Sequence, residues 1–555
     1  MGNMGVIRLI SDEAYRNLGE EIGPENVSRE PAVLDGYAWQ RMMNDDPDIW
    51  VKRPAAIVLP ASTEEVQAVV RVCNKHSLRF KAHATGWGTF GAPTYDNVVQ
   101  IDLRRMDRIL DIDEKNMYAV VEPYVCGAQL QAEAMKLGLN THIIGAGPVC
   151  SPLASATSGW GVGWDGVYMS FSPRNLLGVE WVLPDGEVLR LGAPGSGTDW
   201  FSGDGPGPSL RGLMRGSTGA LGGLGVFTRG ALKLYNWPGP QQVETEGILL
   251  DAKTKVPENI RFHICFFPDR DTLADATYKI GETELGYMAT KTSTAAFVYT
   301  MAPHVLKLIT KTTALRSILS EALRWTFVIM LAGNTKAEID WQEAALEKII
   351  SDYGGFSMEI MGAPVMGSMV FMNFLRVTAI PMVFRMGGLF SSLLGRNETW
   401  DTQLDWYEMG ERLKKKYIDS GRILDDLNDN PFMVTYENNS YTHCETIFQY
   451  EANSELQCSS LEPMQIEGMI NAIEMCQEQL SVCDARQRKV FSPMGGHFNR
   501  WQKKISEMLD VNRATDSGMY CDEDDYNFST IEPELKAKLD RLLAERTWTE
   551  SGPPA

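Results

Sequence analysis

The sequence has no Cys-x-x-Cys pair: its nine cysteines are scattered through 555 residues. An odd, dispersed set of thiols excludes a disulfide scaffold and an intrinsic metal cluster, and it fits a reducing, cytoplasmic setting. Basic residues are in short supply as well. Lys and Arg number 52 against 72 acidic residues, a net charge of −20. That balance argues against nucleic acid and anionic membrane surfaces, and it is compatible with docking to a basic redox partner. No basic-then-apolar segment opens the chain; Met1–Glu21 holds only the short run Gly5–Ile10, so no signal peptide is expected. Uninterrupted apolar runs of spanning length are missing too. The nearest approach, Met358–Leu394, is divided by Arg376, Pro381 and Arg385 into pieces shorter than about 18 residues. With no internal repeat and no low-complexity tract, what remains is a globular chain of ordinary composition.

From Arg53 to about Pro238 the sequence alternates strand-like and helix-like stretches, which predicts an α+β architecture. Ala55–Leu59 reads as a strand. A helix follows, opened by a capping box (Ser62 with Glu65) and carrying Val66, Val69, Val70 and Cys73 on one face. Leu176–Leu191 is the clearest hairpin, two β-rich runs around Pro184-Asp185-Gly186. Trp237-Pro238-Gly239-Pro240 is a strong breaker and marks a domain boundary. Beyond it come a strand near Arg261–Phe267, long helical segments, and the methionine-rich Met358–Leu394, a deformable core or an adaptable apolar channel. Tyr441–Tyr450 reads as a strand, and Asn499–Leu509 as an amphipathic helix. Cys476 and Cys483, seven apart, read as buried thiols on one helix face.

Three glycine-rich stretches carry the chemistry. In Phe80–Pro93 a short strand breaks into Thr85, Gly86, Trp87, Gly88, Thr89, Phe90 and Gly91, where backbone N–H groups can converge on an anion. Alone, that signal is weak, because it is not GxGxxG opening a helix. Ser151–Gly163, with Ser155, Ala156, Thr157, Gly159, Trp160, Gly161 and Gly163, offers hydroxyls and close backbone approach to a pyrophosphate and a flavin ring. Gly216–Gly219 and then Gly225-Val226 lead into a further strand, Thr228–Leu234.

In order and spacing these elements resemble the FAD-linked oxidoreductases of the vanillyl-alcohol oxidase and 4-cresol dehydrogenase family, well over residues 53–238 and thinly over 385–530. The resemblance implies a PCMH-type, two-subdomain FAD-binding domain with an α/β cap domain over the flavin. It implies residues 1–238 as the FAD domain with an N-terminal extension, 239–483 as the cap, and 484–555 as a segment returning to the FAD domain. Departures matter as much. The phenol oxidases of the family carry GYG where this chain has Trp87, so the acidic hydroxyl of their phenolate clamp is lost. Around Ala485-Arg486-Gln487-Arg488 there are arginines but no tyrosine; Arg488 is either an anion-binding residue or a solvated helix-end arginine. The family's flavin-linking histidine falls at Gly388, so non-covalent FAD is expected, with Cys150 the alternative anchor. His443 falls where relatives keep an active-site histidine, and Glu445 shares its strand face; the pair suits a proton acceptor tuned by a carboxylate, or else a structural histidine. His83 reads as a brace for the first loop, and His497 lies in a turn that could face the site. Asp165 and Tyr168 stand near the family's acid beside flavin N5, with the inward-facing one undecided. The expected function is hydride transfer from a hydrophobic alcohol or hydroxy acid to flavin N5, by a homo-oligomeric dehydrogenase. The rival is an electron-transfer subunit docking on an iron–sulfur or cytochrome partner.

Overall fold

Ser62 does what its position predicts. Its side chain accepts the backbone N–H of Glu65 (3.2 Å) and starts the helix Thr63–Lys75, whose Val66, Val69, Val70 and Cys73 are all buried. This computed structural model describes residues 10–38, 52–86, 91–159, 161–192, 197, 200, 209–215, 219–247, 253–291, 293–294, 309, 311–360, 364–377, 388–429, 431–477, 485–521, 528 and 531–547.

The first sheet runs β1 (Val27–Ser28), β2 (Ala56–Val58), β4 (Val98–Asp102), β3 (Arg79–His83), with α1 (Thr63–Lys75) between β2 and β3. β2 and β3 both pair in parallel with β4, the arrangement a βαβ crossover imposes. The second sheet is antiparallel, in the order β5 (Ile109–Asp113), β6 (Tyr118–Val121), β9 (Val226–Lys233), β7 (Leu176–Val182), β8 (Val188–Leu191). The β7–β8 hairpin turns at Pro184-Asp185-Gly186, where Gly186 takes φ +87°. α2 (Gly127–Met135) and α3 (Pro152–Ser158) pack with this sheet. The stretch read as a loop is therefore partly a helix. Ser151 caps it, Pro152 sits in its first turn, and Gly159 ends it in the left-handed region.

A seven-stranded antiparallel sheet forms the other half. Its order is β13 (Phe356–Glu359), β10 (Ile260–Phe266), β12 (Thr326–Ala332), β11 (Met288–Lys291), β15 (Pro431–Tyr436), β16 (Tyr441–Glu451), β14 (Gly388–Glu398). One face packs on helices including α5 (Trp400–Asp419) and α6 (Leu461–Glu474), with Met433 and Cys444 in that core. The other face turns toward the first half. Phe432 of β15 lies against Gly145, and Tyr436 against Gly166. α4 (Pro364–Arg376), within the methionine-rich stretch, buries Phe371, Phe374 and Leu375 on the same face, a core arrangement for this helix, whereas Met358 in β13 is exposed. Cys476 is exposed, just past the end of α6, and Cys483 lies outside the described residues.

After α7 (Ala485–Met494) and α8 (Phe498–Leu509) the chain runs back along β3. Phe80 N–H donates to Ala514 O at 2.8 Å, and Asp516 N–H to Phe80 O at 2.9 Å. Asp516 also accepts Thr94 N–H at 2.6 Å and faces buried Lys81 at 3.8 Å.

Candidate functional site

Between the two sheets of the first half lies a cavity of about 170 Å³. Thr85, Gly86, Gly91, Ser155, Thr157 and Gly225, all expected from sequence, line it. Ala156 and Val226 turn instead into the core. Trp87, Gly88, Thr89, Phe90 and Trp160 lie outside the described residues. Thr85 Oγ1 accepts Ser151 N–H at 2.9 Å, so the first glycine loop and the start of α3 are tied across the cavity.

The backbone at this site leaves no room for side chains. The His83 ring fills the space between Gly86 and Gly91, where a Cβ on either would meet it at 2.9 Å, so His83 braces the loop. At Gly161 a Cβ would lie 2.2 Å from Ser172 Oγ, and at Gly163 2.3 Å from Ile143 O. Gly225 holds φ +114° against Val182 O.

Among the described residues no carboxylate lines the cavity; its polar groups are hydroxyls and backbone, and Leu103, Pro123, Ile144, Leu221 and Phe227 supply an apolar wall. Ser172 Oγ is buried without a partner beside Gly161. Hydroxyls and close backbone for phosphates, an apolar wall for rings and no opposing acid fit FAD well. Sequence reasoning missed that wall, because its members come from five separate segments. Cys150 also lines the cavity, and burial pushes its thiol up to about 12.

The question of Asp165 against Tyr168 is decided by a four-residue helix, Gly166–Met169. Asp165 is buried; it binds His142 Nδ1, and its other oxygen accepts Ile143 N–H at 2.7 Å. His142 Nε2 meets Gly161 O at 2.8 Å, so the pair fixes the second glycine loop. Tyr168 is not brought there. Its half-exposed ring packs on Tyr287 and Tyr235, with centroids at 5.0 and 5.6 Å.

Over these loops stands the cap sheet face. Val434 pairs with His443 and Phe432 with Glu445, so both candidates share the face opposite Met433 and Cys444. His443 is fully buried beside the Gly395 backbone, and burial lowers its pKa to about 4. Glu445 is half-buried and pushed up to about 7 by burial, against the nearby Ser392 hydroxyl. No hydrogen bond joins the two, so the expected carboxylate-tuned imidazole is not what forms. Asn397, opposite His443 beyond a bulge in β14, and Tyr436 and Tyr441, paired across β15 and β16, add further polar atoms without partners. Burial raises the Tyr436 phenol, with Tyr441, Asp165 and Glu445 contributing, which places both halves of the site within electrostatic reach of one another. Arg488 is buried rather than solvated; it lies on α7, where its charge acts on Cys521. Arg486 holds Gln465 (2.5 Å), which in turn donates to Ser391 Oγ (2.7 Å). His497 caps α8 in the left-handed region, φ +58°.

Residues 54–192 match the family model of the FAD binding domain. The chain is 33% identical over 202 residues to 1'-carboxy-chondrochloren decarboxylase of Chondromyces crocatus, a match covering 35% of each protein. It is 33% identical over 219 residues to the hydroxylating 4-cresol dehydrogenase flavoprotein subunit of Pseudomonas putida, covering 38% of this chain and 41% of that one. These matches span about two fifths or less of the relatives' own length. A crystal structure of p-cresol methylhydroxylase with substrate bound superposes with a TM-score of 0.72 over 94% of this chain and 99% of that one, at 16% identity, a likeness of fold. Residues 54–192 thus form an FAD-binding domain, with FAD as the cofactor, and the whole chain has a two-domain α+β fold like that of p-cresol methylhydroxylase.

Proposed function

We propose that this protein is an FAD-dependent oxidoreductase that oxidises a neutral, largely apolar alcohol, with Glu445 taking the hydroxyl proton. One observation carries the reading: a half-buried carboxyl, pushed up to about 7 by burial, on a sheet face it shares with the uncharged His443, Asn397 and Tyr436. A general base works best when its pKa lies near the operating pH. Bound FAD would supply the two-electron acceptor. His443, held neutral by burial, offers a hydrogen bond without charge, and Tyr436 and Asn397 orient the substrate oxygen. Phe432, Val434 and Leu394 share the face and present neither Lys nor Arg. Among the described residues the strand positions that face His443 and Glu445 carry no Lys or Arg for the carboxylate of a 2-hydroxy acid, which favours the alcohol over the acid. A mere electron-transfer subunit has no use for a proton acceptor at this position.

The division into residues 1–238, 239–483 and 484–555 belongs to the same reading, as does non-covalent cofactor binding. Gly388 opens β14 opposite Glu451 and offers no side chain for a link, and the Cys150 thiol is protonated at neutral pH. Acid precipitation should release yellow FAD into the supernatant; colour retained in the pellet overturns that part. The function is tested by anaerobic titration of the purified holoenzyme with a panel of neutral alcohols and 2-hydroxy acids. Bleaching of the flavin by alcohols and not by the acids is expected. Bleaching by the acids alone would sink the substrate assignment.

A further inference from the structure

Net charge conceals a local reversal of sign. Between Ala485 and Arg513 the chain carries seven basic residues (Arg486, Arg488, Lys489, Arg500, Lys503, Lys504, Arg513) and two acidic ones, in a protein of net charge −20. Arg500, Lys503, Lys504 and Arg513 are exposed on or just beyond α8. The same ridge projects large apolar groups into solvent: Trp501 is 65% exposed, Met508 63% and Val511 80%. Lys504 Nζ lies 4.8 Å from the Trp501 ring centroid, so cation and ring form one surface. The helix is not loose. Ile505 and Leu509, on its buried side, pack on the core that also holds Leu153 beside the cofactor cavity.

We propose that this ridge docks the protein on an anionic phospholipid surface. Trp501 and Met508 two turns apart, with Val511 just past the helix end and Lys and Arg on long stems beside them, is the composition of a segment lying at a headgroup boundary. The indole belongs at that depth, and the cations meet the lipid phosphates. Pairing with a second copy across a two-fold axis would set Arg500, Lys503 and Lys504 against themselves, which disfavours self-association through this face. The acidic remainder of the molecule would be turned away from the membrane, so net charge orients the contact rather than forbidding it. Among the described residues no helix is long and apolar enough to cross a membrane, and the contact is peripheral.

The test is co-sedimentation of the holoprotein with vesicles of phosphatidylcholine alone and of phosphatidylcholine with 30% phosphatidylglycerol, at low and high salt. At least tenfold stronger binding to the anionic vesicles is expected, lost at high salt. Arg500→Glu with Lys504→Glu should remove it. Trp501→Ala should weaken it several-fold at unchanged salt dependence, and both variants should keep their FAD and their turnover, since all three side chains face solvent. Equal binding to both vesicle types, or binding indifferent to these variants, overturns the proposal. No vesicle binding at all does so too, and leaves the ridge to an acidic protein. Vesicle binding is read without substrate, so its failure is separate from that of the oxidoreductase reading.

Discussion

Glu445 and His443, two residues apart on β16, are perturbed in opposite senses by the same cause. Burial disfavours charge, so it raises the carboxyl to about 7 and lowers the imidazole to about 4. If Glu445 is the base, flavin reduction by substrate should rise with pH through about 7 as the carboxylate forms. Glu445→Gln should lower that rate by about 10²–10⁴-fold and abolish the rise, with FAD content unchanged. Stopped-flow reduction normalised to bound flavin reads both. A variant with the native pH profile would remove Glu445 from the mechanism. His443 makes a different prediction. The unfolded chain takes up a proton near 6.5 and the folded one only near 4, so stability should fall as pH drops from about 6.5 to about 4, and be whole above that window. The loss is about 3 kcal/mol at the acid end. His443→Gln should flatten this part of the profile of Tm against pH; an unchanged slope would place the titrating group elsewhere.

At the scale of elements, what could be read in advance was what is local. The Ser62 cap of α1 and the hairpin at Asp185-Gly186 are set by residues a few positions apart and form where expected, although the Glu65 carboxylate accepts Ala61 N–H (2.8 Å) where a full capping box would take Ser62 N–H. Ser151–Gly163 was harder. Its small residues suit a loop and a short helix equally, and the cap at Ser151 with Pro152 behind it decides for helix. The active face was least legible, because strand pairing is non-local. Asn397 reaches His443 only because β14 pairs with β16 across a bulge, and Tyr436 meets Asp165 only because β15 docks on the helix at Gly166. The second glycine loop can be tested directly. Gly161→Ala places a Cβ 2.2 Å from Ser172 Oγ and should cut retained FAD at least tenfold, read by absorbance per folded protein. Gly138→Ala is the control. That glycine is also at positive φ, +72°, but nothing lies within 4 Å of its Cβ, so backbone strain without intrusion should leave the cofactor bound. Equal loss in both would make strain, not the cradle, the cause.

The whole molecule is closed by its return segment. Asp510–Asp516 lies along β3, the strand that leads into the first glycine loop, more than four hundred residues earlier in the chain. Asp510 accepts Ala514 N–H at 2.7 Å and Thr515 N–H at 2.9 Å, which shapes the turn, and Thr515 Oγ1 donates to Gly223 O at 2.9 Å. Asp516 gathers Thr94 and Tyr95 N–H groups and offsets the charge of Lys81, which is itself buried. Removing Asp516 takes away a carboxylate that faces the buried Lys81 and the acceptor of two backbone N–H groups, at a cost of about 3–5 kcal/mol. Asp516→Ala should therefore loosen both the return segment and the loop that begins at Thr85. Limited proteolysis should cut it near residues 510–520 faster than the wild type, and FAD should dissociate more readily although no mutated atom lines the cavity. Lys81→Met together with Asp516→Ala removes the stranded charge and should recover part of the protease resistance, without restoring the contacts to Thr94. If the single variant resists cleavage and holds FAD as the wild type does, the segment is an accessory strand and not the closure of the cofactor site.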